Sequence, residues 1–164
     1  MIFKNFGKNS LISLFFVLSI FLIDRFSKIY VIYLDKKYFG SEIFSSEYLN
    51  IVLTWNRGIA FGFFSFNNHD TYNILTLLIL LVISVIFFMI IRSKSFERYA
   101  LLMILGGALG NVFDRIIYKG VPDFIDFHIA DFHWFIFNVS DIFITIGVIL
   151  MIFFEIIGKP KTTE

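Results

Sequence analysis

Four aspartates lie between residues 123 and 141, in or just before a long apolar run. Asp123, Asp126 and Asp131 precede the run, and Asp141 lies within its first turn. An ionised carboxylate at the edge of an apolar segment is costly in free energy, so its presence there indicates a function. If Asp123 and Asp141 face each other at a membrane surface, one keeps a proton while the other accepts a proton from water. This is the acid and base chemistry by which aspartic peptidases hydrolyse peptide bonds.

The composition indicates an integral membrane protein. Hydrophobic residues make up 58% of the 164 positions, Phe alone occurs 24 times, and the mean hydropathy is +0.82. The formal net charge is only +1, and the charged residues lie in the segments between apolar runs without forming a basic stripe. A nucleic-acid partner is therefore not expected. Because the chain has no Cys, thiol nucleophiles, disulfides and thiolate metal sites are excluded.

The apolar runs predict an α-helical protein with four transmembrane helices in one membrane-embedded domain, residues 1–164. The first run continues past the charged pair at 24–25 with no small-residue cleavage site after it, so we expect a retained helix and not a cleaved signal. Gly106 and Gly110 are spaced for close helix contact. A strand at 51–55 predicts a small β-containing platform outside the membrane. The predicted helices are 11–34, 72–91, 99–117 and 138–157, and the predicted extracytoplasmic segments are 35–71 and 118–137.

Basic residues predict the orientation of the helices. Seven cations fall on one side of a four-pass arrangement, which the positive-inside rule makes the cytoplasmic side, so both termini are expected there. Asp24, Asn56, Asp123 and Asp141 then all lie at the outer face. The seven cations are Lys4, Lys8, Arg92, Lys94, Arg98, Lys159 and Lys161.

The pair Asn138 and Asp141 has two interpretations. Three residues apart at a helix start, they match a cap in which Asn is the N-cap and the acid occupies the third helical position. The pair alone does not decide between capping and chemistry. Further polar residues at a similar predicted depth, namely Asp24, Asn56 and Asn111, favour a site.

Asn111, Asp114 and Arg115 have spacings of three and four residues, which place them on one helix face. The preferred interpretation is an ion pair of Asp114 or another acid with Arg115 that closes the helix end, with a possible role in holding the neighbouring loop. The pair Asp24-Arg25 is open to the same interpretation.

The loop at 55–62 combines polar Asn56 and Arg57 with Gly58 and a second glycine, between apolar neighbours. Glycine permits turns that other residues resist. A loop of this kind is suited to binding an extended peptide or to covering a cleft.

Three other functions compete with the aspartate pair. A serine peptidase would use Ser27 and Lys28, but adjacent residues on a helix point about 100° apart and do not face each other. A metallopeptidase would use His128, Asp131 and His133, although the segment lacks the HExxH pattern. A small carrier or channel would use the acids to line an ion path.

Five stretches, which span the whole chain, carry a resemblance to a known family. The chain resembles the lipoprotein signal peptidases, also called signal peptidase II, which are aspartic peptidases of bacterial inner membranes. The stretches are Asp24-Arg25-Phe26-Ser27-Lys28, Asn56-Arg57-Gly58-Ile59-Ala60-Phe61, the segment 106–115 (GGALGNVFDR), the segment 121–127 (VPDFIDF) and Phe137-Asn138-Val139-Ser140-Asp141.

The resemblance implies that Asp123 and Asp141 are the catalytic residues. It implies cleavage of prolipoproteins before a diacylglyceryl-modified cysteine, with membrane lipids as further partners and no cofactor or metal. The expected enzyme is a monomer in the bacterial inner membrane. Two departures are Pro122, where an aliphatic residue is usual, and Ser140, where Ala is usual. Pro122 removes one backbone donor beside Asp123. The expected binding or supporting residues are Asp24, Asn56, Arg57, Gly58, Asn111, Asp114, Arg115 and Asn138.

Overall fold

Four long apolar helices dominate the computed structural model, which describes residues 8–58, 69–93 and 95–157. All four are long and apolar enough to cross a membrane. The helices extend beyond the predicted ranges by one to four residues at most ends, while the last begins one residue later than predicted. The predicted fold class, four membrane helices with a small β platform, is confirmed. The helices are α1 (Lys8–Lys37), α2 (His69–Arg92), α3 (Ser95–Tyr118) and α4 (Val139–Ile157).

Helix α3 lies at the centre and packs against the other three helices. Glycines let it approach α4 backbone to backbone, since a Cβ on Gly107 would stand 2.5 Å from the Ser140 carbonyl oxygen and one on Gly147 would stand 2.7 Å from the Ala100 oxygen. Gly106 faces α1. The two glycines predicted to lie at helix contacts, Gly106 and Gly110, therefore do so: both lie against α1, and Gly110 also lies against Ser140 of α4.

The outward faces of the helices carry large apolar side chains. Leu77 and Leu81 of α2 and Ile149 and Ile156 of α4 are more than half exposed. Water would penalise such a surface, whereas hydrocarbon does not. Between the helices, a core of Val17, Ile90, Leu101, Leu102 and Leu105 is buried.

A four-stranded antiparallel sheet forms the platform. Its strands are β1 (Phe44–Ser45), β2 (Leu49–Asn56), β3 (Val121–Ile129) and β4 (Phe132–Phe137), in that order across the sheet. The predicted strand at 51–55 lies within β2. The hairpin of β3 and β4 was not predicted, because acids such as Asp123 and Asp126, which are depleted in strands, occupy its buried positions.

The hairpin connects α3 to α4 with very few residues between the elements. β3 begins three residues after α3 ends, and β4 ends two residues before α4 begins. Lys119 makes the turn from helix to strand with a φ of 56°. As a result, a buried residue near the start of β3 lies beside the first turn of α4.

Candidate active site

Asp123 lies near the start of β3 and is only 3% exposed. Its Oδ1 accepts a hydrogen bond from Asn138 Nδ2 at 2.6 Å, and its Oδ2 accepts one from Asn56 Nδ2 at 2.9 Å. Burial raises the pKa of Asp123 to about 7, and the charge of Asp141 adds to the rise, while the two amides oppose it. The carboxyl of Asp123 is therefore poised to exchange a proton near neutral pH.

Asp141 occupies the first turn of α4. Its Oδ2 accepts the backbone N–H of Asn138 at 3.1 Å, and its Oδ1 accepts Asn111 Nδ2 at 2.8 Å. In return, the Asp141 backbone N–H donates to Asn138 Oδ1 at 3.2 Å. This reciprocal pair is a capping box, so the capping interpretation of the sequence is confirmed. The cap does not exclude chemistry, because it also orients the carboxylate.

Asn138 connects the two aspartates. It is fully buried, its side-chain amide donates to Asp123, and its backbone N–H donates to Asp141. The two carboxylates that the sequence paired are thus held by one residue between β4 and α4. The charge of Asp141 raises the pKa of Asp123, which agrees with this proximity.

Lys28 supports the site from α1 and was not among the predicted site residues. Its Nζ donates to Asn111 Oδ1 at 2.9 Å, and the other end of the Asn111 amide donates to Asp141. The four-residue spacing of Asp24 and Lys28 is a signal from which the sequence could have identified it. The Ser27 hydroxyl donates to the Asp24 carbonyl oxygen at 2.8 Å, so the geometry does not support a Ser27-Lys28 dyad.

A buried ion network connects α1 with α3. Arg25 donates to Asp114 Oδ2 at 2.7 Å and to Asp24 Oδ2 at 2.7 Å. Lys28 lies 2.7 Å from Asp114 Oδ2 and 2.9 Å from Asp24 Oδ1. Asp114 is thus engaged by two cations from another helix, while Arg115 donates to the carbonyl oxygens of Asn111 and Gly58.

Asp24 also anchors the start of α4. Its Oδ1 accepts the Ser140 backbone N–H at 3.0 Å, one of the free donors of the helix N-terminus. Gly110 makes this approach possible, since a Cβ there would stand 2.6 Å from Asp24 Oδ2. The ion network therefore helps to position the turn that carries Asp141.

Arg115 holds the start of the predicted loop. Its Nη2 donates to the Gly58 carbonyl oxygen at 3.2 Å, and the Gly58 N–H donates to Asn56 Oδ1 at 2.9 Å. Because its oxygen is engaged in this way, the Asn56 amide directs its N–H groups to Asp123. Arg57 is exposed, and no hydrogen bond between described residues joins it to either aspartate. Residues 59–62 of the loop lie outside the described residues.

A pocket of about 410 Å³ adjoins Asp141 between β4 and α4. Apart from the carboxylate and one threonine, its lining is apolar and mostly aromatic. It is therefore suited to hydrocarbon and less suited to a polar group. The lining residues are Phe127, Trp134, Phe135, Phe137, Asp141, Ile142, Thr145 and Ile146.

Comparisons with known proteins agree with this geometry. The sequence model of the family described as signal peptidase (SPase) II matches residues 16–157. The chain is similar to the lipoprotein signal peptidase of Pelagibacter ubique (strain HTCC1062), with 46% identity over 96% of this chain and 95% of that protein. It is 37% identical to the lipoprotein signal peptidase of Anaplasma phagocytophilum (strain HZ), over 91% of this chain and 94% of that one.

Two solved structures, each described as a bacterial membrane enzyme studied by the in meso method, are also similar. The first, at 2.3 Å resolution, has a TM-score of 0.70 and 29% identity over 93% of both chains. The second, at 1.9 Å resolution, has a TM-score of 0.67 and 30% identity over 90% of this chain and 94% of that one. With the family match covering most of its length, the chain belongs to the signal peptidase II family.

Proposed function

We propose that Asp123 and Asp141 are the catalytic residues of this protein. The chain is an aspartic endopeptidase that removes signal peptides from prolipoproteins. The observation that carries the assignment is Asn138, whose side chain and backbone hold the two carboxyl groups together in a buried site. The membership of the family in the peptidases removes the carrier alternative.

In the proposed reaction, Asp123 begins protonated and Asp141 begins ionised. Asp141 takes a proton from water as the water oxygen attacks the carbonyl carbon, and Asp123 donates its proton to the carbonyl oxygen. The resulting diol collapses as Asp141 returns a proton to the leaving amine and Asp123 recovers its own. The C–N bond breaks, and both carboxyl groups regain their starting states.

The hydrogen bonds of the two residues support this division of roles. The pKa of Asp123, raised to about 7 by burial and by the Asp141 charge, lets it keep a proton at neutral pH. Both of its oxygens already accept amide N–H groups, so the O–H is free to point at a substrate. Asp141 accepts from Asn111, whose oxygen is polarised by the Lys28 ammonium.

We also propose that the substrate is cleaved before a cysteine that carries diacylglycerol. The support is the apolar pocket beside Asp141, which borders α4 with its exposed apolar face. A precursor held in the bilayer by a signal helix and two acyl chains reaches this cleft without first leaving water. Each buried methylene adds about 0.8 kcal/mol to that anchoring. The acyl chains would remain in the bilayer beside the helices during cleavage.

The orientation is part of the proposal. The platform and both aspartates would lie outside the inner membrane of a bacterium, and both termini would lie in the cytoplasm. Arg92 and Arg98 support this, because their turn lies at the end of α3 opposite the sheet. Of the other predicted cations, Lys8 begins α1, and Lys4, Lys94, Lys159 and Lys161 lie outside the described residues. A monomer holds every group that the mechanism uses.

The test compares one precursor in diacylated and unacylated form, mixed with the purified protein in the same detergent. Cleavage is followed by gel shift, and the cut is located by mass spectrometry. We expect cleavage before the modified cysteine and a much higher rate for the diacylated form. Equal rates would contradict lipid recognition, and cleavage of neither form would contradict the proposed function.

A further inference from the structure

A second cluster of chemically active side chains lies on the hairpin of β3 and β4. Asp126 and His128 belong to β3, and His133 belongs to β4, where it is paired across the hairpin with His128. One possible ligand atom from each of the three lies within 4.8 Å of the others. Asp131, the acid that the sequence associated with these histidines, lies at the hairpin turn, is exposed and is not one of the three.

The contacts within this cluster leave one buried ring nitrogen without a partner among the described residues. His133 Nδ1 lies 2.9 Å from one Asp126 carboxylate oxygen and 3.0 Å from the other. The two imidazoles stack with centroids 4.9 Å apart and planes inclined by 18°. His128 Nδ1 is buried and has no hydrogen-bond partner among the described residues. Leaving a buried polar atom without a hydrogen bond is costly, so a partner is expected.

We propose that Asp126, His128 and His133 bind a divalent transition-metal ion, with zinc as the representative. Two imidazole nitrogens and one carboxylate oxygen are ligands that suit zinc and its neighbours, and they suit calcium or magnesium poorly. Bonds of about 2.0–2.2 Å place two ligands of a tetrahedral zinc about 3.3 Å apart. The three ligand atoms lie within 4.8 Å of one another, and zinc would draw them closer by rotating His133, whose side chain is 54% exposed.

The metal would act on the hairpin and not on the scissile bond. Asp126 lies three residues after Asp123 on β3, and β4 leads directly to Asn138. An ion bound by both strands would therefore link β3, which carries Asp123, to β4, which leads to Asp141. It satisfies the buried His128 nitrogen and stiffens the hairpin. Water activation remains with the two aspartates, so chelators should leave cleavage in place.

The experiment measures metal binding without using turnover, so its failure would not be confused with a failure of the peptidase proposal. The full chain is purified without a histidine tag, treated with EDTA and titrated with ZnCl2 by calorimetry in detergent. We expect one zinc per chain and a higher thermal unfolding midpoint when zinc is present. His128→Phe and His133→Phe keep an aromatic ring in the stack, and each should weaken zinc affinity at least about tenfold.

Two matched controls locate the site. His69→Phe changes the one histidine outside the cluster, and Asp123→Asn changes a nearby acid, so neither should alter zinc affinity. Unfolding of each variant without metal checks that it is folded. No saturable binding up to about 1 mM zinc, or binding that survives both cluster variants, would overturn the proposal. Loss of zinc binding in Asp123→Asn would show that the site is not at the three proposed ligands. A thermal unfolding midpoint that zinc does not change would contradict the stiffening of the hairpin.

Discussion

Two groups of buried acids lie side by side in this protein and are treated differently. Asp24 and Asp114 each form ion pairs with both Arg25 and Lys28 at 2.5–2.9 Å. The direct hydrogen-bond donors of Asp123 and Asp141 are amide N–H groups. The first group is therefore paired with cations, whereas the second is held in place by neutral donors.

Under the proposed function, the difference separates a structural use of carboxylates from a chemical one. The ion pairs of the first group link α1 to α3 and offset the cost of burying charged groups. In the second group the donors are neutral, and burial raises the pKa of Asp123 to about 7, so this carboxyl can hold or release a proton near neutral pH. The position of an acid in a membrane protein is therefore a weaker guide to function than the nature of its donors.

The largest expected effect is the loss of catalysis in Asp123→Asn and Asp141→Asn. Each substitution keeps the shape of the side chain but removes a group that must exchange a proton. Cleavage of a diacylated precursor should fall by at least about 10²–10⁴-fold in each variant, with insertion and folding retained. Asp131→Asn, an exposed acid of the hairpin turn, serves as the control and should leave the rate unchanged. Substantial turnover by either catalytic variant would contradict the aspartate pair.

The second prediction concerns the stability of the ion network. Lys28→Met keeps the length of the side chain but leaves two buried carboxylates with one cation fewer. The free energy of unfolding should fall by about 3–5 kcal/mol, as measured by denaturation in mixed micelles. Lys36→Met, at an exposed position of α1, should change it by less than about 0.5 kcal/mol. If Lys28→Met lost activity but kept its full stability, the ion network would serve catalysis and not stability. The distinction between the two groups of acids would then be wrong.

The third prediction is a pH dependence. Because the scheme needs a proton on Asp123, whose pKa is about 7, turnover should fall about tenfold per pH unit well above that value. The folded-state pKa lies above the ordinary value of 3.8, so the folded protein binds this proton more tightly than the unfolded chain does. Stability from this group should then be lost as pH rises from about 4 to about 7.

The control for the pH prediction is Asp123→Asn, in which that loss of stability with rising pH should disappear. Unfolding midpoints of the two proteins are compared at pH 5 and pH 8. An identical pH dependence in both would show that another group is responsible.

The smallest expected effect belongs to Asn56→Ala. The amide of Asn56 donates to Asp123 and lowers its pKa, so its removal should shift the alkaline limb of the rate profile to higher pH. Turnover should weaken several-fold with little loss of stability, since Asn56 is at the end of β2. Asn50→Ala, on the same strand, should not shift the limb. A variant of Asn56 that fails to fold would assign the residue a structural role.

The sequence predicted the elements whose signal is local. Long apolar runs located the four helices, and scarce polar residues at similar depth brought out Asp123, Asp141 and Asn138. The partners of Asp114 were missed because Arg25 lies 89 residues earlier in the chain, beyond any helical spacing. The β3 and β4 hairpin was missed because its buried positions hold acids, which obscure the alternation typical of a strand.

Asn138 has a consequence for inhibition. Its side chain and backbone hold both carboxyl groups, so a substitution that displaced one of them would also displace the other. Consider an inhibitor that places a hydroxyl between the two aspartates. A substitution of either aspartate that weakened its binding would also remove activity. Resistance to such a compound would have to arise in the surrounding pocket, for example at Phe137 or Ile146, which line it and have no part in the proposed proton transfer.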